Sequence, residues 1–226
     1  MAKITAEIIS DWQSAFPELK VFSRSRLFKV IGPFMAGIEL NNLGGSSKYR
    51  PYFMIYPLYE QDLDKCMDTP AVFHEFYNPK NIQYYIAIEK HKDFYAQIVK
   101  EIRTSLLLPF DRDIRFDELV AAVNTYLSRP IVVANAGLSK VIAYRFLYVC
   151  SLYIYDQNQT QRILKELQDC CASMAPARFL HFFGEYDKWF DGLHEMKEKR
   201  DEIIETIITN RANKKISQFP FNELVP

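Results

Sequence analysis

Four basic residues near the start of the chain, Arg24, Arg26, Lys48 and Arg50, have types that could hold an anion. Arg24 and Arg26 are two apart, so in a strand both side chains leave the same sheet face. Together with Lys48 and Arg50 they form a candidate site for a phosphate, a carboxylate or an acidic partner surface, since guanidinium groups hold oxyanions by charge-assisted hydrogen bonds. The competing arrangement is a solvated face on which these charges, with Lys29, pair with Glu18, Glu39 or Glu60. Just before Tyr49 the run Gly44-Gly45-Ser46-Ser47-Lys48 has the composition of a phosphate loop. A phosphate loop needs a helix behind it to aim backbone amides at the anion. Here Tyr49-Arg50-Pro51 and a strand pattern follow, so the segment reads as an inter-strand loop.

Tyr49, Tyr52, Tyr56, Tyr59, Tyr84 and Tyr85 crowd the same region. Tyrosine suits a surface that must be apolar and hydrogen-bonding together, so a protein-binding face is one reading and a packed sheet with phenols at its rim is the other. The candidate binding set is therefore Arg24, Arg26, Lys48, Tyr49, Arg50 and Tyr52, with loop 41–50 at its centre.

Acid–base and metal chemistry find less support. His74-Glu75 and His194-Glu195 begin like a zinc-protease motif, but Asn78 and Glu198 stand where the second histidine is required. His74 and Glu75 are the nearest acid–base candidates to the basic set, and a dyad of His74 with Cys66 has only its residue types in its favour. The four cysteines, Cys66, Cys150, Cys170 and Cys171, include no C-x-x-C pair. Asp111, Asp113, Asp117 and Glu118 lack the glycine and downstream glutamate of a calcium loop and read as a helix N-terminus, where carboxylates meet the positive end of the dipole. No metal site and no cofactor motif is expected.

These residues need elements to position them. Ile4, Ile8, Ile9, Trp12, Ala15 and Phe16 have helical spacing, ended by Pro17. Residues 19–40 carry strand formers on both sides of Gly32-Pro33, a turn signal, and residues 52–59 form another strand bounded by Pro51 and interrupted by Pro57, which favours an edge or a strand end. Asp68-Thr69-Pro70 resembles a helix start, predicting a short helix through Phe76, and residues 82–89 predict a strand. After Lys92 the periodicity is helical: one face from Phe94, a second from Phe116, a nearly all-apolar segment over 141–155, a stripe from Ile163 to Cys171, and a long helix over 186–210. Arg145 interrupts the apolar segment, and a buried guanidinium must find a partner or reach a pocket. The tail reads as an extended end.

The layout is α+β: an antiparallel sheet of about four strands in residues 1–92, and a helical region over 93–226 packed on it or standing as a subdomain. A hydrophobic fraction of 49% supplies a real core, and a net charge of zero argues against nucleic-acid binding. No run reaches the ~18 apolar residues of a membrane helix, and the first residues do not form a signal peptide. A cytoplasmic, soluble protein is expected. Two functions remain: a non-catalytic interaction protein that binds a protein partner through the tyrosine-rich sheet and loop 41–50, or an enzyme or sensor for a small anionic ligand.

Overall fold

The computed structural model describes residues 3–135 and 137–226. Helix α1 (Ala6–Ala15) opens with the Thr5 hydroxyl accepting from the Ile8 amide at 3.3 Å, and its buried stripe is Ile8, Ile9 and Trp12. Strands β1 (Lys20–Ser23), β2 (Arg26–Ile31), β3 (Phe34–Asn42) and β4 (Lys48–Pro57) then form an antiparallel meander. Three connections make it: Arg24-Ser25 joins β1 to β2, Gly32-Pro33 joins β2 to β3, and residues 43–47 join β3 to β4.

Period-two alternation gives the sheet two buried faces. Leu27, Ile31, Phe34, Ala36, Ile38, Phe53 and Ile55 join the large core, while Phe28, Val30, Met35, Met54 and Tyr56 join a smaller one. Strand β2 comes so close to β3 that a Cβ on Gly37 would lie 2.0 Å from the Leu27 carbonyl oxygen, so only glycine fits there.

Pro57 ends β4, but Pro51, expected to bound the strand, lies inside it, and β4 is not an edge strand. The cross-strand partner of Pro51, Leu40, donates its amide toward β2, to the Ser25 carbonyl at 2.7 Å. In an antiparallel ladder that leaves the nitrogen of residue 51 facing the other side of β4. There β6 (Ile86–Ala87) pairs with Lys48 and Tyr49, β5 (Val72–Glu75) pairs with Tyr52 to Ile55, and the gap between them asks Pro51 for no donor.

The helix predicted over 68–76 is corrected to a strand. The short helix lies earlier, α2 (Leu63–Cys66), capped by Asp62, whose carboxylate accepts from the Lys65 amide at 2.8 Å. Residues 72–75 alternate buried and accessible and become β5, the sheet edge beside β4. Val72 and Phe73 suit a pleated surface, and the ladder to β4 outweighs the Thr69-Pro70 start signal. Only Ile86–Ala87 of the strand predicted over 82–89 pairs regularly.

The helical part follows: α3 (His91–Thr104), the short β7 (Ile114–Arg115), α4 (Phe116–Leu127), α5 (Pro130–Val133), α6 (Leu138–Tyr153), α7 (Gln157–Ser173), α8 (Pro176–Phe183), α9 (Tyr186–Glu198) and α10 (Arg200–Arg211). The acidic cluster starts α4 as its charges require. Arg112 grips Glu118 through two nitrogens at 2.6 and 2.9 Å, and Glu118 also accepts from the Arg115 amide. The helix predicted over 186–210 is two helices that meet at Lys199.

Helix α6 is central. Its Phe146, Leu147, Tyr148, Val149 and Cys150 are fully buried, and Phe146 meets Phe34 edge to face at 5.4 Å. Phe146, Leu147 and Val149 each stabilise the fold by about 1.5–3 kcal/mol through burial. The large core draws residues from the sheet and from α1, α3, α4, α6 and α7, so the two parts share apolar packing. Ile207 of α10 and Ile216 cover the other face of the sheet.

The tail is extended only from Pro220 on: Arg211 ends α10, Lys214 and Lys215 lie in turns, and the extended end is built into strands. Strand β8 (Phe221–Asn222) runs parallel to β2, and β9 (Leu224–Val225) runs parallel to β7. Gly32, at φ +46°, admits the Leu224 side chain where its own Cβ would sit. The buried Lys29 amine donates to the Phe110 carbonyl at 2.6 Å and to the Asn222 side chain, tying tail, sheet and helical part together.

Candidate functional site

The six residues nominated by the sequence reach different surroundings. Arg24 lies in the exposed β1–β2 turn, not in a strand, so it does not share a sheet face with Arg26 by alternation. Arg26, Arg50, Tyr52 and Lys48 do share one face by register, but β3 runs between Arg26 and Arg50 and presents Glu39 and Asn41 opposite them. Arg26 pairs with Glu39 at 2.9 Å. Lys48 holds its ammonium 4.6 Å from the centre of the Tyr85 ring. Tyr52 is buried and stacks on Phe73 at 4.5 Å. Arg50 is half-buried with its Nε unpartnered among the described residues.

Tyr49 is wholly buried on the opposite face and belongs to a polar chain that the sequence does not announce. Trp12 Nε1 donates to the Tyr49 hydroxyl at 3.1 Å, the hydroxyl meets His91 Nδ1 at 2.7 Å, and His91 Nε2 meets Asp11 at 2.9 Å. Lys92, 2.6 Å from the same carboxylate, holds Asp11 below the usual carboxylate range, and His91 adds to this. A hydroxyl, an imidazole and a carboxylate in series resemble a nucleophile relay. Burial, however, pushes the phenol up, away from ionisation, and none of the clefts described below is lined by Tyr49. The chain satisfies buried groups and joins α1, β4 and α3.

Cys66 and His74 are not brought together. The thiol lies near the Glu60 carbonyl and the Asn210 side chain, and burial pushes it up to about 11. Asp11, His91, Glu118 and the other acidic and imidazole groups nowhere form a cluster of three able to hold a metal ion among the described residues.

Two clefts lie where the sheet ends against the helices. The larger, about 550 Å3, has Tyr59 and Glu60 on one wall and Leu138, Ile142 and Arg145 of α6 on another, closed by Phe182, Phe183 and Trp189. Arg145 finds both a partner and a pocket: it pairs with Glu60 at 3.2 Å, its guanidinium lies 5.5 Å from the Tyr59 ring centre, and it lines the cleft. The aromatic wall follows from two helix boundaries. Pro176 opens α8, and Gly184 at φ +84° ends it, so α9 turns back against it. Trp189 then meets Phe179 edge-on at 5.5 Å and Phe183 at 5.6 Å. On the same pair of helices Leu180, Phe182 and Tyr186 stay 57%, 47% and 42% exposed.

The smaller cleft, about 190 Å3, opens at the free edge of β5, lined by Phe73, His74, Glu75 and Arg129 with Asn135 and Ser139 at the start of α6. Arg129 donates from one terminal nitrogen to His74 Nε2 at 3.0 Å and to the Glu75 carbonyl at 3.1 Å, and stacks on Tyr77 at 4.6 Å. Because Arg129 donates into Nε2, the neutral ring carries its proton on Nδ1. That nitrogen is buried and has no hydrogen-bond partner among the described residues. Burial first, and then the Arg129 charge, push His74 down from 6.5 to about 4.

Sequence reasoning singled out His74, Glu75 and Arg145 but missed Arg129 and the α8–α9 aromatics. Arg129 stands 55 positions from His74, and the aromatic spacing over 179–190 reads as ordinary core. Comparison with protein-family models, curated proteins and solved structures finds no match.

Proposed function

We propose that this chain is a non-catalytic binding protein that takes a protein partner on its α8–α9 face, with an apolar side chain of the partner seated in the larger cleft. One observation carries the reading: Phe182 remains 47% exposed while lining a cleft of about 550 Å3, whose lining also includes Phe183 and Trp189. An exposed aromatic side chain at an apolar cleft is costly in water, and aromatic groups seated in pockets carry much of the energy of protein interfaces. The tyrosines first nominated for this role are poorer candidates, because Tyr49, Tyr52 and Tyr56 are buried. Arg145 and Glu60 give the cleft a polar end that can orient what enters.

Affinity purification from the native host tests this with three forms: the wild-type chain, Phe182→Asp and the double variant Lys48→Glu with Arg50→Glu. The reading expects a stoichiometric partner that Phe182→Asp loses and the double variant keeps. Recovery of no stoichiometric partner, or loss only with the double variant, contradicts it.

A further inference from the structure

Arg129 differs from most arginines of this chain that lie against aromatic rings. Arg26, Arg145 and Arg103 each reach a carboxylate, Glu39, Glu60 and Glu18 in turn. Arg129 is half-buried, yet its only polar contacts among the described residues are a neutral imidazole and a backbone carbonyl. A partly desolvated guanidinium without a counter-charge is costly unless something supplies one. Its neighbour His74 is 3% exposed and keeps a buried N–H donor unmatched among the described residues, an arrangement that favours any acceptor able to reach it. Both side chains line one cleft.

The opposite wall adds further donors. Helix α6 is 16 residues long and starts at Gly137 with no side-chain cap on its first amides. Ser139, in its first turn, lines the cleft, and the Asn135 amide donates to its hydroxyl at 3.1 Å. That hydroxyl still has its own proton to offer. The positive end of a helix favours negative charge at this place. Glu75, the one carboxylate in the lining, is engaged elsewhere by the Tyr77 hydroxyl and by Gln83 at 2.8 Å.

We propose that this cleft binds a small oxyanion, a carboxylate or a phosphate group, held by the Arg129 guanidinium, the His74 Nδ1–H and the Ser139 hydroxyl. The volume of about 190 Å3 lies below the ~300 Å3 at which sites for drug-sized ligands begin. The ligand is therefore a small acid, or the anionic end of a molecule whose remainder lies outside. The site is separate from the α8–α9 partner surface, and neither requires the other.

The chain has four histidines, so its imidazole NMR signals are few and can be assigned with His74→Gln. Titration of the full chain with sodium acetate and, separately, with inorganic phosphate, against sodium chloride at equal ionic strength, is the test. Expected is a saturable shift of the His74 signals alone, with one of the two anions or both, and none with chloride. Arg129→Gln should weaken that binding about tenfold or more, the cost of a charge-assisted hydrogen bond, and Ser139→Ala by a few-fold. Arg129→Lys keeps the charge and loses the planar fork. It should fall between wild type and Arg129→Gln, and it carries the test should Arg129→Gln fail to fold. Response to acetate alone identifies a carboxylate site, and response to phosphate alone a phosphate site. No saturable shift at His74, a shift shared by all four histidines, or full affinity in Arg129→Lys together with Ser139→Ala overturns the proposal.

Discussion

The sheet face around Arg26 and Tyr52 and the helical side around Arg129 and Phe182 hold similar residue types in opposite circumstances. On the sheet, Arg26 has Glu39, Tyr56 donates to Glu39 at 3.2 Å, Tyr52 has Phe73, and Lys48 has the Tyr85 ring, while Arg50 alone of this face keeps an unpartnered Nε among the described residues. On the helical side and the β5 edge that meets it, Arg129 has no carboxylate and His74 has an unmatched nitrogen among the described residues, and Leu180 and Phe182 are exposed. A basic or aromatic residue marks a site only where folding has left it unmatched, because a matched one has already given its interaction energy to the fold. On this reading the sheet is scaffold and the helical side is working surface.

The contrast is open to test, beginning with the largest effect. Gly37→Val should destabilise by more than about 3 kcal/mol, since its Cβ would strike the Leu27 backbone and neither strand can move away cheaply. Chemical denaturation measures this, and a cost under 1 kcal/mol would show that the sheet is far looser than described. Next is the pH dependence of His74. Its folded value is depressed, so the unfolded chain binds more protons between about pH 4 and 6.5. Its contribution is therefore complete above pH 6.5 and lost as pH falls toward 4, by about 3 kcal/mol in all. The difference in stability between wild type and His74→Gln, followed from pH 7 to pH 4, should shrink by about that amount, and a flat difference would place the imidazole in water.

Tyr49→Phe comes third. It removes the hydroxyl that serves both Trp12 and His91, and should cost about 2 kcal/mol. It should leave partner binding unchanged, and a lost partner with intact stability would return Tyr49 to the functional set. The smallest stability change is expected for Phe182→Ser, within about 0.5 kcal/mol of wild type as at most exposed positions. A large loss of stability there would make the α8–α9 aromatics scaffold too.

Much of the architecture was legible because it depends on local pattern. Trp12 and its neighbours, the strand formers about Gly32-Pro33, and the stripe through Ile163 and Cys171 each carry their period in adjacent residues. Errors fell where distant partners decide. Val72–Glu75 is a strand because β4 pairs with it, against a local helix signal at Thr69-Pro70. Residues 221–225 are strands only because β2 and β7 offer edges some 190 and 110 positions away. The candidate site is of this second kind. His74 and Arg145 could be noticed as types, but the missing counter-charge of Arg129 and the exposure of Phe182 exist only once every other side chain has been placed.

On these assignments the working surface lies on the helices and the β5 edge, and not on the tyrosine-bearing sheet face or loop 41–50. Amide hydrogen exchange of the full chain, alone and with its purified partner, tests it most directly. Slowed exchange is expected in α8, in α9 and in α6 from Leu138 to Arg145, with the loop amides at 43–47 unchanged. Protection confined to loop 41–50 and the strand ends beside it, with α8 and α9 exchanging as in the free chain, would contradict it.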